Sequence, residues 1–277
     1  MKGMASEATT ARRRRVSYPV ANLRGEVSEL ETAMAQVMAR PRKEAVHRLR
    51  SATRRIEAQF AVVEELAHQE PGFRVAGGEV RRVKGLLRRV RRAAGRVRDL
   101  DVARDLAKTF AAGGAAGIRR QAEDLRVQLK EERRPESREL TALLKGRGLK
   151  LQRYLEHLLL ALEPVALIGM SAVELEVLTR RWYEGQLKAV PSATTRVEGL
   201  HWIRKSAKLA RYMAATGLAA RVVREFATVQ AAGGEWHDWL NLLDLAQERL
   251  GKRSELTTLL EEREATARQT FEAAISS

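Results

Sequence analysis

Apolar residues recur every three or four positions along almost the whole chain. Leu23, Val27, Leu30, Met34 and Val37 define a first amphipathic helix, which stops near Arg40-Pro41 because a residue before proline avoids helical geometry. Pro41 suits the first turn of a second helix, running to about His68 and ending before Pro71-Gly72. Its apolar stripe is Leu49, Ile56, Phe60 and Val63. At about 100° per residue, His47, Arg50, Ser51 and Arg54 fall on the opposite side. A third helix over residues 79–94 turns Val80, Val83, Leu87 and Val90 to the core, with Lys84, Arg88 and Arg91 along one border of the stripe. Arg82 and Arg89 point more nearly outward. Gly95 is expected to interrupt, and Arg98-Asp99-Leu100-Asp101 to open the next helix, which ends at Gly113-Gly114. Carboxylates in a first turn suit the positive end of the helix dipole, so Asp99 and Asp101 read as caps and arginine partners.

Residues 115–133, 136–145 and 149–162 read as further helices, the first two divided by Pro135, with a connector over 164–170. Ser171-x-x-Glu174 and Thr195-x-x-Glu198 have capping-box spacing, in which hydroxyl and carboxylate satisfy each other's backbone donors. The second box opens a helix whose His201, Arg204, Lys205, Lys208 and Tyr212 share one side, while Ile203, Ala207, Ala210 and Ala214 face away. Gly217, Gly233-Gly234 and Gly251 punctuate the rest, and the last helix ends near Ile275.

The expected fold is therefore all-α, in two antiparallel helical bundles. Aligning His47 with His201, and Gly95 with Gly234, relates the halves as an internal pseudo-two-fold duplication around a basic groove or pore. Residues 1–18, rich in Ser, Thr and Arg, read as a disordered basic tail. Residues 19–277 form the folded unit, with halves at about 19–148 and 149–277.

Charge adds a partner to this picture. The formal net charge of the 277 residues is +16, mostly from arginine, and such an excess repels itself in a compact chain. It suits an anionic partner, and the planar guanidinium fork suits phosphate in particular. Nucleic acid, polyphosphate and an anionic membrane all meet that requirement. With no cysteine, disulfides and thiolate metal sites are excluded. The longest apolar region, 157–173, is broken by Glu163-Pro164 and falls short of the roughly 20 residues a membrane span needs. Arg12 to Arg15 are followed by no apolar stretch, so no secretory signal is read and a cytoplasmic location is expected.

The two His-led helices resemble the signatures of the CHAD family, the histidine-bearing α-helical domain. Gly95-Arg96-Val97-Arg98-Asp99-Leu100-Asp101 resembles the family's Gly-x-x-Arg-Asp-Leu-Asp segment, and Gly233-Gly234-Glu235-Trp236-His237-Asp238-Trp239-Leu240 its counterpart in the second half. The resemblance runs from about Val20 to the C-terminus. It implies an internally duplicated helical fold whose basic central surface binds inorganic polyphosphate, without catalysis. The expected ligand-binding residues are His47, Arg50, Arg54, Lys84, Arg88, Arg91, Arg98, His201, Arg204, Lys205, Lys208, Arg211, Tyr212 and His237. Arg50, Arg54, Arg204, Lys205 and Lys208 would meet successive phosphoryl oxygens. The three histidines would act as donors whose protonation the phosphate favours. Polyphosphate granules and polyphosphate-metabolising enzymes extend the set of expected partners and locations; a membrane does not.

Other chemistry finds less support. His237-Asp238 could begin a metal site, but the next carboxylate, Asp244, lies six positions on along the same helix, so no metal and no cofactor is expected. No Ser-His-Asp set, His-Glu-x-x-His or glycine-rich phosphate loop is present. Glu29-Leu30-Glu31 and Glu174-Leu175-Glu176 lack the lysine of the Glu-x-Glu-x-Lys strand in triphosphatases often fused to CHAD domains. His68 and His157 lack cationic neighbours and read as a helix-end and a surface or packing residue. Trp202, Trp236 and Trp239 read as packing rather than as platforms for bases. The alternatives are a non-specific nucleic-acid binder, ranked below polyphosphate because only Tyr212 offers a stacking ring, and a helical protein-interaction scaffold.

Overall fold

The amphipathic stripes pair into an all-helical fold. The computed structural model describes residues 16–69, 77–191, 193–216 and 219–276; Arg12 to Arg15, Pro71-Gly72 and Gly217 lie outside them, as does the His68 side chain. The order is β1 (Val16–Ser17), α1 (Pro19–Ala39), α2 (Lys43–Gln69), α3 (Gly77–Ala111), α4 (Ala116–Ala161), a 3-10 turn (Glu163–Val165), β2 (Met170–Ser171), α5 (Ala172–Lys188), α6 (Arg196–Ala215), α7 (Ala220–Leu250) and α8 (Glu255–Ser276). Both capping boxes form, at the starts of α5 and α6. Pro41 lies before α2 rather than in its first turn.

Four expected breaks are absent: at Gly95, at Pro135, between residues 145 and 149, where buried Leu144, Gly148 and Leu151 carry the helix on, and at Gly233-Gly234. α3 runs straight through Gly95, which is buried where α3 passes the guanidinium of Arg50. Asp99 and Asp101 are therefore mid-helix and cap nothing. Asp101 is instead a buried arginine partner: Arg133 donates to both its oxygens, at 2.5 and 3.0 Å, and also to the carbonyl of Pro41 and the hydroxyl of Ser137. α4 continues through Pro135, which sits on the exposed side, where water can serve the carbonyl of residue 131. Burial of Leu125, Leu129, Leu140 and Leu144 on either side offsets the proline, which costs about 3 kcal/mol in a helix interior. α7 likewise runs through Gly233-Gly234.

α4 also serves two cores. Its later residues Leu144, Leu151, Leu155 and Leu158 pack with α1, α2 and the first part of α3. Its early residues Leu125 and Leu129 pack with Leu100 and Ala103 of α3, Leu242 of α7, and Leu256 and Leu260 of α8. A boundary at residue 148 thus falls inside one continuous helix, and Leu151, Leu155 and Leu158 belong with the N-terminal core. The folded chain also starts earlier than residue 19. Val16–Ser17 pairs antiparallel with Met170–Ser171, and Ser17 donates to the carbonyl of Thr216 at 2.6 Å.

What positions the site is the double burial of α2. Leu49, Ile56, Phe60 and Val63 face α1, α3 and α4. Ala58, Val62 and Leu66 face Leu175 and Leu178 of α5 and Met213 of α6. With two sides held, the His47–Arg50–Arg54 face lies toward α6 and its own cations.

Candidate anion-binding site

Helices α2, α3, α6 and α7 bring their cationic faces to one place. Arg50 and Arg54 come from α2, Arg91 and Arg98 from α3, Arg204, Lys205, Lys208 and Arg211 from α6, and His237 from α7. The charges act on one another across the helices: Lys208 feels Arg50, Arg204, Arg54 and Arg211, while His47 feels Arg98 and Lys208. Burial drives every shift, and the neighbouring cations reinforce it. Lys208 is pushed down to about 7, and Arg204 and Arg91 to about 10. Lys205 and Arg54 move down as well.

The histidines are the main electrostatic surprise. Burial first, then Arg204 and its neighbours, holds His201 at about 4 and His237 at about 3; His47 is also lowered. His201 and His237 are therefore neutral at pH 7 in the unbound protein. The His201 and His237 rings meet edge-on at 5.1 Å, and His201 lies 4.8 Å from the ring of Trp236. Trp236 is fully buried, donates to Glu264 at 2.8 Å and stacks on Phe271. The expected packing role fits Trp236 and also Trp239, which meets Phe110 edge-on. Trp202 is at the rim, donating to the carbonyl of Gln186.

Tight approach of α6, α7 and α8 requires Gly233. A Cβ there would lie 2.7 Å from the Phe271 ring and 3.0 Å from Cγ of Arg204. The neighbouring Gly234 has nothing within 4 Å.

Twelve of the fourteen expected residues come together: His47, Arg50, Arg54, Arg91, Arg98, His201, Arg204, Lys205, Lys208, Arg211, Tyr212 and His237. Two stand at the outer edge of α3. Lys84 is bound to Glu64 at 2.5 Å, and Arg88 is exposed, acting on Arg91. Tyr212 is half-buried against the α2–α5 contact, with the Arg211 guanidinium 5.3 Å from its ring centre. His157 is exposed on α4.

Of the carboxylates, sequence reasoning missed Glu57 alone. Asp99, read as a cap and an arginine partner, caps nothing and lies 3.9 Å from Arg50. Asp238 faces Arg204, Arg98 and Arg50, and also Asp99. Burial raises both carboxyl groups despite those arginines. Glu57 accepts from Arg54 and Arg91 at 3.1 and 2.8 Å. Pairing between residues 34 positions apart leaves no local signal in the chain. Asp244 is exposed, and the described residues contain no group of three or more His, Asp or Glu placed to hold a metal ion.

Several buried nitrogens here have no partner within the chain. They are Nε of Arg50, Arg204 and Arg211, Nη1 of Arg98, and Nδ1 of His201 and His237. Buried polar atoms are ordinarily satisfied, so a cluster of unsatisfied guanidinium N–H groups marks a place shaped for acceptors.

Fold and site together define an all-helical protein with an internal cationic centre. The CHAD domain model matches residues 21–262, and the chain belongs to that family. Among solved structures it is similar to the CHAD domain from the plant Ricinus communis, with 14% identity, a TM-score of 0.65, and 94% and 90% of the two chains covered. It is similar also to PptA from Streptomyces chartreusis, with 18% identity, a TM-score of 0.56, and 94% and 98% covered. None of the curated proteins compared matches the sequence. Among the described residues no helix is long and apolar enough to cross a membrane.

Proposed function

We propose that the protein binds inorganic polyphosphate at this centre and does not cleave it. The observation that carries the proposal is the set of buried guanidinium nitrogens on Arg50, Arg98, Arg204 and Arg211 that lack partners within the chain. Cations crowded together and partly desolvated are held at a penalty, which a polyanion relieves by supplying both charge and acceptors. A linear phosphate chain carries a charge at every unit and no base, so it can lie close along the cations. His-led α2 with α3, and His-led α6 with α7, would form two related halves about a groove. CHAD membership supports the same ligand class. Attachment to cytoplasmic polyphosphate granules, or to enzymes that make or consume the polymer, would follow from this surface.

Nucleic acid is the second candidate, since it too supplies phosphates. Its bases need stacking surfaces, and Tyr212 is packed into the helix contact.

The pH dependence of binding tests the proposal. Lys208 titrates near 7 in the free protein, and a bound polyanion raises that value. Binding therefore takes up a proton around and above neutral pH, and affinity falls as pH rises from 6.5 to 8.5. The slope is at most about tenfold per pH unit for one linked proton. Anisotropy of labelled polyphosphate should show this decline, and Lys208→Arg should flatten it, because arginine stays charged. A flat profile in the unaltered protein would contradict the assignment of Lys208. In the same samples chain length, read on a gel, should stay constant with and without divalent metal; shortening abolished by His237→Ala would mean the centre is catalytic.

A further inference from the structure

One of the carboxylates in the cationic centre is hydrogen-bonded to two of its arginines. Glu57 lies one turn beyond Arg54 on α2 and faces Arg91 on α3. Its Oε2 accepts from Arg91 Nη1 at 2.8 Å and from Arg54 Nη1 at 3.1 Å, and its Oε1 accepts from Arg91 Nη2 at 3.3 Å. This forked arrangement on a guanidinium is the one a phosphoryl group would adopt. The Arg91 side chain is only 14% exposed and that of Arg54 20%, so the pairing is sheltered from water.

The centre therefore has two unlike arms. Arg50, Arg98, Arg204 and Arg211 keep unpartnered buried nitrogens: Asp99 comes no nearer to Arg50 than 3.9 Å, and Asp238 acts on Arg204, Arg98 and Arg50 through charge. Arg54 and Arg91 are engaged by a carboxylate. The arms are contiguous: Arg204 and Lys208 feel both Arg50 and Arg54, and Lys205 feels Arg204, Arg54 and Arg91.

We propose that Glu57 is a built-in competitor that sets how long a polyphosphate must be to occupy the whole centre. The proposal rests on the polyphosphate function above. A short chain fills the open arm and gains little by displacing Glu57, because one anion on Arg91 is merely exchanged for another. A long chain anchored on the open arm presents its next phosphates to Arg54 and Arg91 at high effective concentration. Each internal phosphoryl unit offers two non-bridging oxygens, the same fork as a carboxylate, so the exchange loses no hydrogen bond and the effective concentration makes it favourable. Glu57 can then leave toward solvent, since its side chain is already 30% exposed. Nothing in the sequence separates this glutamate from an ordinary surface residue one turn after an arginine. Only the approach of α3 gives it the second partner.

Glu57→Gln, which keeps the shape and removes the charge, tests the idea when tripolyphosphate and long polyphosphate compete for the same labelled probe. Tripolyphosphate should bind tighter by on the order of tenfold, the scale of one charged hydrogen bond released. Long polyphosphate should gain clearly less, so that discrimination by length shrinks. Glu57→Asp is one methylene too short to keep the Arg91 fork, and should move the length ratio the same way by a smaller amount. It serves also if the glutamine variant loses helical signal. Weaker binding of both ligands would make Glu57 a positioning residue for Arg54 and Arg91, and would overturn the proposal. Equal tightening of both would reduce it to a general charge effect and overturn it too. Failure of long polyphosphate to bind the unaltered protein would overturn the underlying function itself.

Discussion

A protein with Arg50, Arg54, Arg204 and Lys208 all replaced by glutamate loses polyphosphate affinity by roughly four decades or more, at about 1.5 kcal/mol or above for each charged hydrogen bond removed. All four sit where α2 and α6 face one another, and each feels at least one of the other three. In the unbound protein they raise one another's energy, so their removal withdraws repulsion as well as binding. The apolar faces behind them, Leu49, Ile56 and Phe60 on α2 and Ala207, Ala210 and Met213 on α6, are unaltered. The helical signal in circular dichroism should therefore persist while anisotropy of labelled polyphosphate is lost. Undiminished binding by this variant would place the ligand elsewhere on the protein.

Two adjacent glycines should respond to the same substitution with opposite sign. An alanine gains about 1 kcal/mol over glycine in a helix interior. At Gly234 the added methyl meets nothing within 4 Å, so Gly234→Ala should be stabilising. At Gly233 the methyl would lie 2.7 and 2.8 Å from atoms of the Phe271 ring, which is fully buried and stacked on Trp236. Overpacking of that kind costs about 1–3 kcal/mol, and the larger values exceed the propensity gain. Its third contact is Cγ of Arg204, so the displaced packing also moves a cation of the site. Gly233→Ala should melt below the unaltered protein and Gly234→Ala above it, a separation of roughly 5 °C. It should also weaken polyphosphate binding, whereas Gly234→Ala should not. Equal behaviour of the two variants would contradict the close packing of α6, α7 and α8.

The sequence carried the local features well and the distant ones poorly. Helical periodicity located the apolar faces because each stripe is written within one helix. The boxes at Ser171–Glu174 and Thr195–Glu198 were legible because all their groups lie within one turn. Gly95, Pro135 and Gly233-Gly234 looked like breaks because local propensity disfavours them in helices. Packing on both sides of each overrides that preference, and no short window of sequence contains the override. The two histidine–cation faces were visible for the same reason as the stripes. Their carboxylate counterparts were visible in part. Asp99 was read as an arginine partner, and it looked like a cap as well only while Gly95 was taken as a helix end. Glu57 became a site residue only when Arg91 arrived from a different helix. The neutral state of His237 is likewise collective, set by burial, by Arg204 and His201 of α6 and by Arg50 of α2, whereas His201 answers to burial and to Arg204 and Lys205 of its own helix.

The most direct test of the central claim is competition for labelled long polyphosphate between unlabelled polyphosphate and single-stranded RNA, at matched salt and matched phosphate concentration. Both ligands weaken as salt rises, because both release counterions on binding, so the comparison must be made at one ionic strength. A centre built from closely spaced arginines and lysines, with a single half-buried tyrosine beside them, should prefer the polymer without sugars or bases. Polyphosphate should displace the probe at concentrations at least about tenfold lower than RNA, a difference of about 1.4 kcal/mol. Equal displacement by RNA would contradict polyphosphate as the ligand that this centre selects.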